Sequence, residues 1–363
     1  MIRDIPHFLL SLSVQKQLLM KKIIVSLISA AAVLVIAGCA KQAVIGPNDA
    51  NKRYFDAWMQ LNHPDAQPVG FGIYILEDEP GTGVEVKKDG YVRLDYVTTS
   101  LEGNISAYTD AETAKQLGTY NETYYYGPKF MTTAEGTVPA GLWNALEGMK
   151  TGGHRKVIIP SWLMSYKVYE TAQEYIDTES DTETTIYDFT VRDFTTDIIE
   201  WEAGEIGKYF AQHTDVFGNM TAADSLKGYK GFYYKTITPP TDTVSFKKDS
   251  TIYINYTGKL LDGTVFDTTN ERLAKDSGIW SATRDYAPVS IKWGEKYTDI
   301  TMGSSGSSVI SGFALTLWQM RKLEKGVGVF TSGYGYGVSG SGQNIPPYAS
   351  LVFEIEIVPK PEE

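Results

Sequence analysis

The amino-acid sequence predicts an α+β fold made of two copies of one domain, each an antiparallel sheet wrapped around one helix. The first observation is an internal repeat, because residues 72–103 align with residues 231–263 and Tyr96 then matches Tyr256. Further on, "VPAGLWNALEGM" matches "VISGFALTLWQM". The repeated unit is far longer than the roughly 20 to 50 residues of solenoid repeats, which indicates two whole domains.

Strand and helix patterns give the class of each copy. The stretches "TIYINYTGKL" and "LVFEIEIV" alternate apolar and polar residues, which predicts strands with one face on a core. "VISGFALTLWQM" carries apolar residues at Ile310, Phe313, Leu317 and Met320, which is the spacing of a helical stripe. Several strands, one helix and a final strand therefore make up each copy.

A short amphipathic helix is predicted ahead of the first copy, within "NDANKRYFDAWMQLNHP". Asn48 or Asp49 can cap its start, and Pro64 ends it. "GKYF" at Gly207 echoes "KRYF" at Lys52 and predicts a similar helix ahead of the second copy. The apolar face is expected to pack on its own domain rather than on a partner. Its members are Tyr54, Phe55, Trp58 and Met59.

The N-terminus has the pattern of a targeting segment. From Met20, which we take as the true start, it reads "MKKIIVSLISAAAVLVIAGCAKQ", with a basic head, an apolar run and small residues before the only cysteine. Residues 1–38 are therefore predicted to be a signal peptide. The "IAGC" ending resembles a bacterial lipobox, which makes Cys39 the expected lipidation site and places the protein in the bacterial cell envelope, anchored at the outer membrane. The alternative is an ordinary cleavage site, with Cys39 merely one of the small residues near it.

The charge of the chain limits its partners. The formal net charge is −11, and removal of residues 1–38, with four basic residues and one acidic residue, leaves −14. An acidic body does not bind nucleic acid by counterion release, so membrane attachment must come from the lipid. With Cys39 acylated, no thiol remains for a disulfide or for catalysis.

The sequence shows few of the residue patterns that are typical of metal sites or of conventional catalytic sites. His63, His154 and His213 lack metal-ligand spacing. The glycine-rich stretches "GSSGSS" and "GYGYGVSGSG" lack the Lys-Ser/Thr of a phosphate loop and are expected to be mobile loops. The acidic stretch "DTESDTET" lacks the turn glycine of a calcium loop and is expected to be a solvated insert. No cofactor and no metal are predicted.

Four ordered motifs in the second copy carry the functional signal. They are "YINYTGKLLDGTVFDTT", "VISGF", "GYGYG" and "NIPPYASLVFEIEIV". Together they resemble the successive signatures of FK506-binding-protein-type (FKBP-type) prolyl isomerases over almost all of residues 231–360. The resemblance implies two FKBP-like domains and a peptidyl-prolyl cis-trans isomerase activity in the second.

The resemblance also implies which residues form the site. Phe313 stands where many members have a tryptophan, which leaves a smaller apolar floor. Asp267 and Tyr256 are expected to orient one another, and Tyr336 to donate a hydrogen bond to a substrate carbonyl. The alternatives are a turn residue for Asp267 and a packed loop residue for Tyr336. The full set is Tyr256, Phe266, Asp267, Val309, Ile310, Phe313, Tyr336, Ile345 and Phe353.

Such residue types suit the rotation of an amide bond. The barrier of about 18 to 20 kcal/mol arises from resonance, which is lost in the twisted transition state. The twisted amide carries less charge separation, so a dry aromatic pocket can bind it better than either planar form. No nucleophile is required.

The first copy keeps the scaffold motifs but loses the pocket motifs. The "FD" pair falls on Ser106 and Ala107, Pro139 follows Val138, and the floor residue becomes Leu142. "GYGYG" is absent, and Tyr187 stands where Phe353 lies. We expect this copy to be inactive. In the second copy, an insertion within "EKYTDITMGSSGSSVI" is expected to border the pocket entrance.

The predicted organisation has five parts. Residues 39–70 are a lipidated tether and short helix, 71–197 a degenerate FKBP-like domain, 198–230 a connecting helix or linker, and 231–363 the isomerase domain, all after the signal peptide. The expected partners are unfolded or proline-containing polypeptides and the membrane. Two alternatives stay open: a non-catalytic polypeptide-binding chaperone, and a first copy that serves as a docking or homodimerisation module.

Overall fold

The computed structural model describes residues 46–178 and 182–362. The predicted signal peptide and the lipidation site at Cys39 lie outside the described residues, as does part of the acidic stretch that begins at Asp177. Within the described part, no helix is both long enough and apolar enough to span a bilayer.

Over the residues that the structure describes, the first unit contains four α-helices, six strands and one 3-10 helix, Ser161–Met164. The helices are α1 (Asp49–Asn62), α2 (Ala111–Gln116), α3 (Ala140–Leu146) and α4 (Ala172–Ile176). The strands are β1 (Tyr74–Glu79), β2 (Tyr91–Thr99), β3 (Ile105–Tyr108), β4 (Lys129–Thr132), β5 (His154–Ile159) and β6 (Thr185–Thr195). They form one antiparallel sheet in the order β1-β5-β6-β2-β3, and β4 also pairs with β2.

The second unit repeats this plan. Its helices are α5 (Ile198–Gln212), α6 (Thr214–Phe217), α7 (Glu271–Asp276) and α8 (Ser311–Gln319). Its strands are β7 (Phe232–Thr238), β8 (Thr251–Leu260), β9 (Val265–Thr268), β10 (Val289–Lys292), β11 (Thr301–Met302), β12 (Ser307–Ser308), β13 (Lys325–Phe330) and β14 (Leu351–Val358). The sheet order is β12-β11-β10-β8-β14-β13-β7, with β9 also paired to β8.

The two sheets share one topology, so the repeat seen in the sequence is a repeat of structure. Strands β1 to β6 correspond in order and pairing to β7, β8, β9, β10, β13 and β14, taken in chain order. Even local backbone strain recurs, because Asp89 and Asp249 of the two "KKD" turns both have positive φ, 58° and 64°. The predicted α+β class with antiparallel sheets is confirmed.

Each unit buries its own helix against its own sheet. In the second unit Phe313 and Leu317 of α8 join a buried cluster with Ile254 and Ile355 of the central strands. In the first, Leu142 and Leu146 of α3 occupy the same place. Gly141 and Gly312 allow these close contacts, because a Cβ on Gly312 would lie 2.5 Å from the ring of Phe330.

Helix α1 begins after Asn48, as predicted, but the Asn48 side chain does not cap it. That side chain is buried and donates instead to the carbonyls of Ile176 and Thr178, because α4 lies beside it. The prediction that Tyr54 packs on the domain is wrong. Its ring is exposed, and its hydroxyl donates to Glu102 at 2.7 Å, whereas Phe55 is buried in the first core.

The segment between the units is part of the second unit's packing. Ile206 and Phe210 of α5 and Phe217 of α6 form a buried cluster with Tyr233 and Val352 of the second sheet. The sheet is thus covered on this face by α5 and α6 and on the other by α8. The connecting segment is more than a linker.

Both glycine-rich stretches contain local secondary structure, and their predicted mobility stays a prediction. "GSSGSS" forms the turn of a hairpin in which Thr301 pairs with Ser308, because strand β11 continues the sheet beyond β10. "GYGYGVSGSG" contains two 3-10 turns, Ser332–Tyr334 and Gly337–Ser339. We call residues 331–350, between β13 and β14, the pocket loop.

Candidate active site

An aromatic cluster lies between α8 and the central strands of the second sheet. Phe353 of β14 is its centre. Its ring centroid is 5.2 Å from that of Phe313, 5.6 Å from that of Phe266 and 6.4 Å from that of Tyr256. The pairs with Phe313 and Phe266 are edge-to-face, and the pair with Tyr256 is tilted. Each aromatic pair of this kind stabilises the fold by about 0.5 to 1.5 kcal/mol beyond the contribution of its buried area. Four residues predicted from three of the motifs are therefore brought together.

At the edge of the cluster, three polar side chains form a closed network. The Tyr256 hydroxyl donates to Asp267 Oδ2 at 2.7 Å. Arg284 donates through Nη1 to Asp267 Oδ1 and through Nη2 to the Tyr256 hydroxyl oxygen at 3.2 Å. Asp267 comes directly after Phe266 in β9, so the same short strand supplies an aromatic wall and the carboxylate.

The electrostatics of the network keep Tyr256 protonated. Burial, with the adjacent charge of Asp267, raises the pKa of Tyr256. Partial burial acts to lower the pKa of Arg284, but the bonds and charge of Asp267 outweigh it and the pKa is raised. Tyr256 therefore stays a phenol and Arg284 a guanidinium across the neutral pH range.

Gly258 makes room for the aromatic wall. It lies opposite Asp267 in β9 and opposite Phe353 in β14. A Cβ here would lie 2.6 Å from Phe266 Cε2 and 2.9 Å from Phe353 Cε1, distances that real Cβ atoms essentially never show. A glycine inside a strand often marks such a close approach.

The remaining predicted residues border the cluster. Val309 and Ile310 are half-buried and stand at the start of α8, with Ile310 as its N-cap residue. Ile345 is buried in the pocket loop, where its backbone bridges to Ser341. The Gly303 hairpin comes directly before Val309 in sequence, and its place at the pocket entrance stays a prediction.

Tyr336 extends from the pocket loop with its ring 37% exposed. Burial and the charge of Asp267 raise the pKa of Tyr336, so its phenol lies within electrostatic reach of the network. Within the described part of the chain, its hydroxyl has no hydrogen-bond partner. That hydroxyl is therefore free to donate to a ligand.

Arg284 was not predicted from the sequence. It lies in the irregular segment between α7 and β10, where Tyr286 closes the loop by accepting from the Ser281 N–H at 2.9 Å. The first unit repeats this closure, with Tyr126 accepting from the Asn121 N–H at 3.0 Å. Arg284 lies two residues before Tyr286, and Tyr124 lies two residues before Tyr126. Tyr124 is therefore the equivalent of Arg284, and alignment of the two copies could have identified this difference.

The first unit has the same frame with other side chains. In the strand register Thr98 lies opposite Ala107 and Tyr187, just as Gly258 lies opposite Asp267 and Phe353. Thr98 is buried and its hydroxyl is 2.8 Å from the Ser106 hydroxyl. The Thr98 side chain thus stands where Gly258 leaves space for an aromatic ring.

Among the residues that the structure describes, no group of three or more His, Cys, Asp or Glu side chains could hold a metal ion.

The chain is similar to known proteins, and the matched family model lies within the second unit. A family model described as FKBP-type peptidyl-prolyl cis-trans isomerase matches residues 243–358. FK506-binding protein 1A of Emericella nidulans is 32% identical over 120 residues, which cover 33% of this chain and 89% of that protein. The crystal structure of FkpA from Escherichia coli is 23% identical, with a TM-score of 0.29, and covers 44% of this chain and 58% of that one.

The chain belongs to the FKBP-type peptidyl-prolyl cis-trans isomerase family, and the predicted family and enzyme class are confirmed. Not every relative is matched over most of its length. The macrophage infectivity potentiator of Trypanosoma cruzi is 27% identical over 135 residues, and this chain spans 56% of it.

Proposed function

We propose that this protein catalyses cis/trans isomerisation of X-Pro bonds and that the second unit holds the active site. The observation that carries the proposal is the closed network of Tyr256, Asp267 and Arg284 at the edge of the aromatic cluster around Phe353. The family supports the reaction, and the geometry supports the location.

The pocket would act by differential binding of the twisted amide. Phe266, which is half-buried, would present an apolar ring to a peptide group whose resonance is lost in the transition state, supported by the buried rings of Phe353 and Phe313. The free hydroxyl of Tyr336 would donate to a substrate carbonyl and hold the residue next to the proline. Each tenfold acceleration requires about 1.4 kcal/mol of preferential transition-state binding.

The polar network would hold the pocket edge in shape. A carboxylate beside apolar rings is costly unless it is paired and hydrogen-bonded. Arg284 and Tyr256 satisfy both oxygens of Asp267, so the acid at the edge of the aromatic cluster is both paired and hydrogen-bonded.

The first unit is proposed to be non-catalytic. Ala107 and Tyr124 stand at the positions of Asp267 and Arg284, so both members of the ion pair are replaced. Thr98 fills the space that Gly258 leaves open. The scaffold is kept while the aromatic wall and the network are lost.

The setting that we propose is the bacterial cell envelope, where a lipid on Cys39 would hold the protein at the outer membrane. Uncatalysed X-Pro isomerisation takes tens to hundreds of seconds, so proline-containing chains that fold outside the cytoplasm would be substrates. The proposed domain limits are those of the sequence, with residues 198–230 assigned to the second unit on the basis of their packing.

A second function, binding of unfolded polypeptide without turnover, is favoured by exposed aromatic rings in both units. Tyr120 and Trp280 occupy equivalent positions after α2 and α7, and each is exposed with a lysine 5.3 Å from its ring. Exposed aromatic rings of this kind can hold extended chains.

The test is the isomerisation of a proline tetrapeptide by the full-length chain and by two matched variants. Tyr256→Phe removes one bond to Asp267, whereas Tyr96→Phe makes the same change at the equivalent position of the first unit. We expect the wild type to accelerate exchange, Tyr256→Phe to reduce kcat/KM by about tenfold, and Tyr96→Phe to match the wild type. A wild type without acceleration would refute the enzyme proposal, and a loss confined to Tyr96→Phe would refute its location.

A further inference from the structure

Helix α5 carries a buried carboxylate that the proposed reaction does not use. Glu202 is 1% exposed, although it lies on the segment between the two units and outside the residues that match the family. Burial of a carboxylate is costly and needs a compensating set of hydrogen bonds. The partners of Glu202 therefore show what it holds.

All of those partners lie at the two ends of the pocket loop. Glu202 accepts from the backbone N–H of Ser332 and from its hydroxyl, the latter at 2.6 Å. It also accepts from the Ser350 hydroxyl at 3.2 Å. Ser332 comes two residues after β13 and Ser350 directly before β14, so one carboxylate ties together both ends of the loop.

The loop needs such a tie because of its composition. It contains five glycines, whose backbone freedom is the largest of any residue and must be lost for the loop to hold one shape. The five are Gly333, Gly335, Gly337, Gly340 and Gly342. Tyr336 and Ile345, two residues of the proposed site, lie between the two serines.

The first unit contacts the C-terminal half of the pocket loop, at Gln343 and Tyr348. The Tyr125 N–H donates to the carbonyl of Gln343 at 2.8 Å. The ring of Tyr348 packs against Tyr91 and Phe130, with centroids 5.3 and 6.1 Å apart. At the first end, the Thr331 N–H also donates to the Gly231 carbonyl at 2.9 Å, but Glu202 contacts both ends of the loop.

We propose that Glu202 is a positioning residue for the isomerase site, and that it sets the place of Tyr336 by tying Ser332 to Ser350. This inference rests on the proposed function of the second unit. A purely apolar residue at 202 could fill the volume, but it would leave the Ser332 N–H and two hydroxyls without acceptors in a buried place.

The experiment measures peptide isomerisation by full-length Glu202→Ala and Glu202→Gln, alone and combined with Tyr336→Phe. Glu205→Ala, one turn along the same helix on an exposed salt bridge with Lys208, is the matched control. We expect kcat/KM to fall by about tenfold to a hundredfold in Glu202→Ala, equivalent to about 1.4 to 2.8 kcal/mol. Glu202→Gln, which keeps one acceptor oxygen, should retain more activity, and Glu205→Ala should equal the wild type.

The readout that separates positioning from mere stability is the combined variant. If Glu202 acts through the pocket loop, Tyr336→Phe should cost less activity in the Glu202→Ala background than in the wild type. Additive effects, or wild-type activity in both Glu202 variants, would overturn the inference while leaving the proposed function intact. A wild type without activity would overturn both. Should Glu202→Ala fail to fold, the same comparison with Glu202→Gln decides.

Discussion

Replacement of Gly258 by alanine is the sharpest structural perturbation of the proposed pocket. The added methyl group would lie 2.6 Å from Phe266 Cε2, 2.7 Å from Phe266 Cζ and 2.9 Å from Phe353 Cε1. An ordinary contact begins near 3.4 Å, so the Phe266 ring would have to move by about 0.8 Å. Overpacking of this kind costs about 1 to 3 kcal/mol of stability.

The effect on activity should exceed the effect on stability. Phe266 is the ring that would face the twisted amide, with the buried ring of Phe353 beside it, and a misplacement of about 1 Å can reduce a rate by about a hundredfold. We expect Gly258→Ala to unfold at lower urea concentration and to lose about tenfold to a hundredfold in kcat/KM.

Peptide exchange followed by NMR gives the rate, and urea unfolding gives the stability. Gly204→Ala in α5 is the control, because a Cβ there meets no atom within 4 Å and alanine favours a helix. A Gly258→Ala protein with wild-type kcat/KM would refute the reasoning, because the pocket would then not depend on the ring that this glycine admits.

Three further predictions concern the contacts around the pocket. In a double-mutant cycle with Asp267→Ala and Arg284→Met, the two losses of stability should be non-additive by about 1 kcal/mol. This coupling energy is small because both side chains are about one-third exposed. Additive losses would contradict the ion pair. Tyr348→Ala should lower kcat/KM by severalfold, since it removes the packing of the pocket loop on the first unit, and unchanged kinetics would show that this packing is not needed. Burial raises the pKa of Glu202, so its favourable contribution to stability is fully present below the ordinary glutamate pKa and is lost as pH rises through the raised value. As pH rises from about 4.5, the urea midpoint of the wild type should therefore fall relative to that of Glu202→Gln. A difference between the two midpoints that stays constant with pH would contradict the raised pKa. Tyr348, a titratable group beside Glu202, does not ionise in that range.

The repeat could be recognised in the amino-acid sequence because residues of the scaffold recur in both copies. Tyr96 and Tyr256 occupy equivalent strands, and each backbone N–H donates to a threonine hydroxyl thirteen residues on, at 3.0 Å in both units. Alternation in β8 and β14 reflected one buried face, which is a local property of the sequence. The fold class and the order of strands could therefore be predicted.

Residues whose partners are distant in sequence could not be found in that way. Glu202 lies 130 residues from Ser332, and nothing near it in the sequence distinguishes it from the exposed Glu205. Arg284 stands in an irregular segment without a strand or helix pattern. Only the pairing of its loop with the first unit, where Tyr124 replaces it, would have singled it out.

Gly258 is an intermediate case. It lies in the quoted "YTG" of the second unit, and Thr98 stands at its place in the first. A glycine within an otherwise β-branched strand predicts a close approach. Which ring approaches it depends on the bulge that turns Phe266 inward, and that bulge is a tertiary feature of β8 and β9.

The central claim is that proline peptides bind the second unit and not the first. It is tested most directly by titration of the full-length protein, labelled at isoleucine methyl groups, with a proline tetrapeptide. Ile310 and Ile345 border the proposed pocket, whereas Ile159 and Ile186 lie in the first unit's core and sheet. We expect the methyl signals of Ile310 and Ile345 to shift while those of Ile159 and Ile186 stay unchanged. Shifts confined to the first unit would contradict binding at the second.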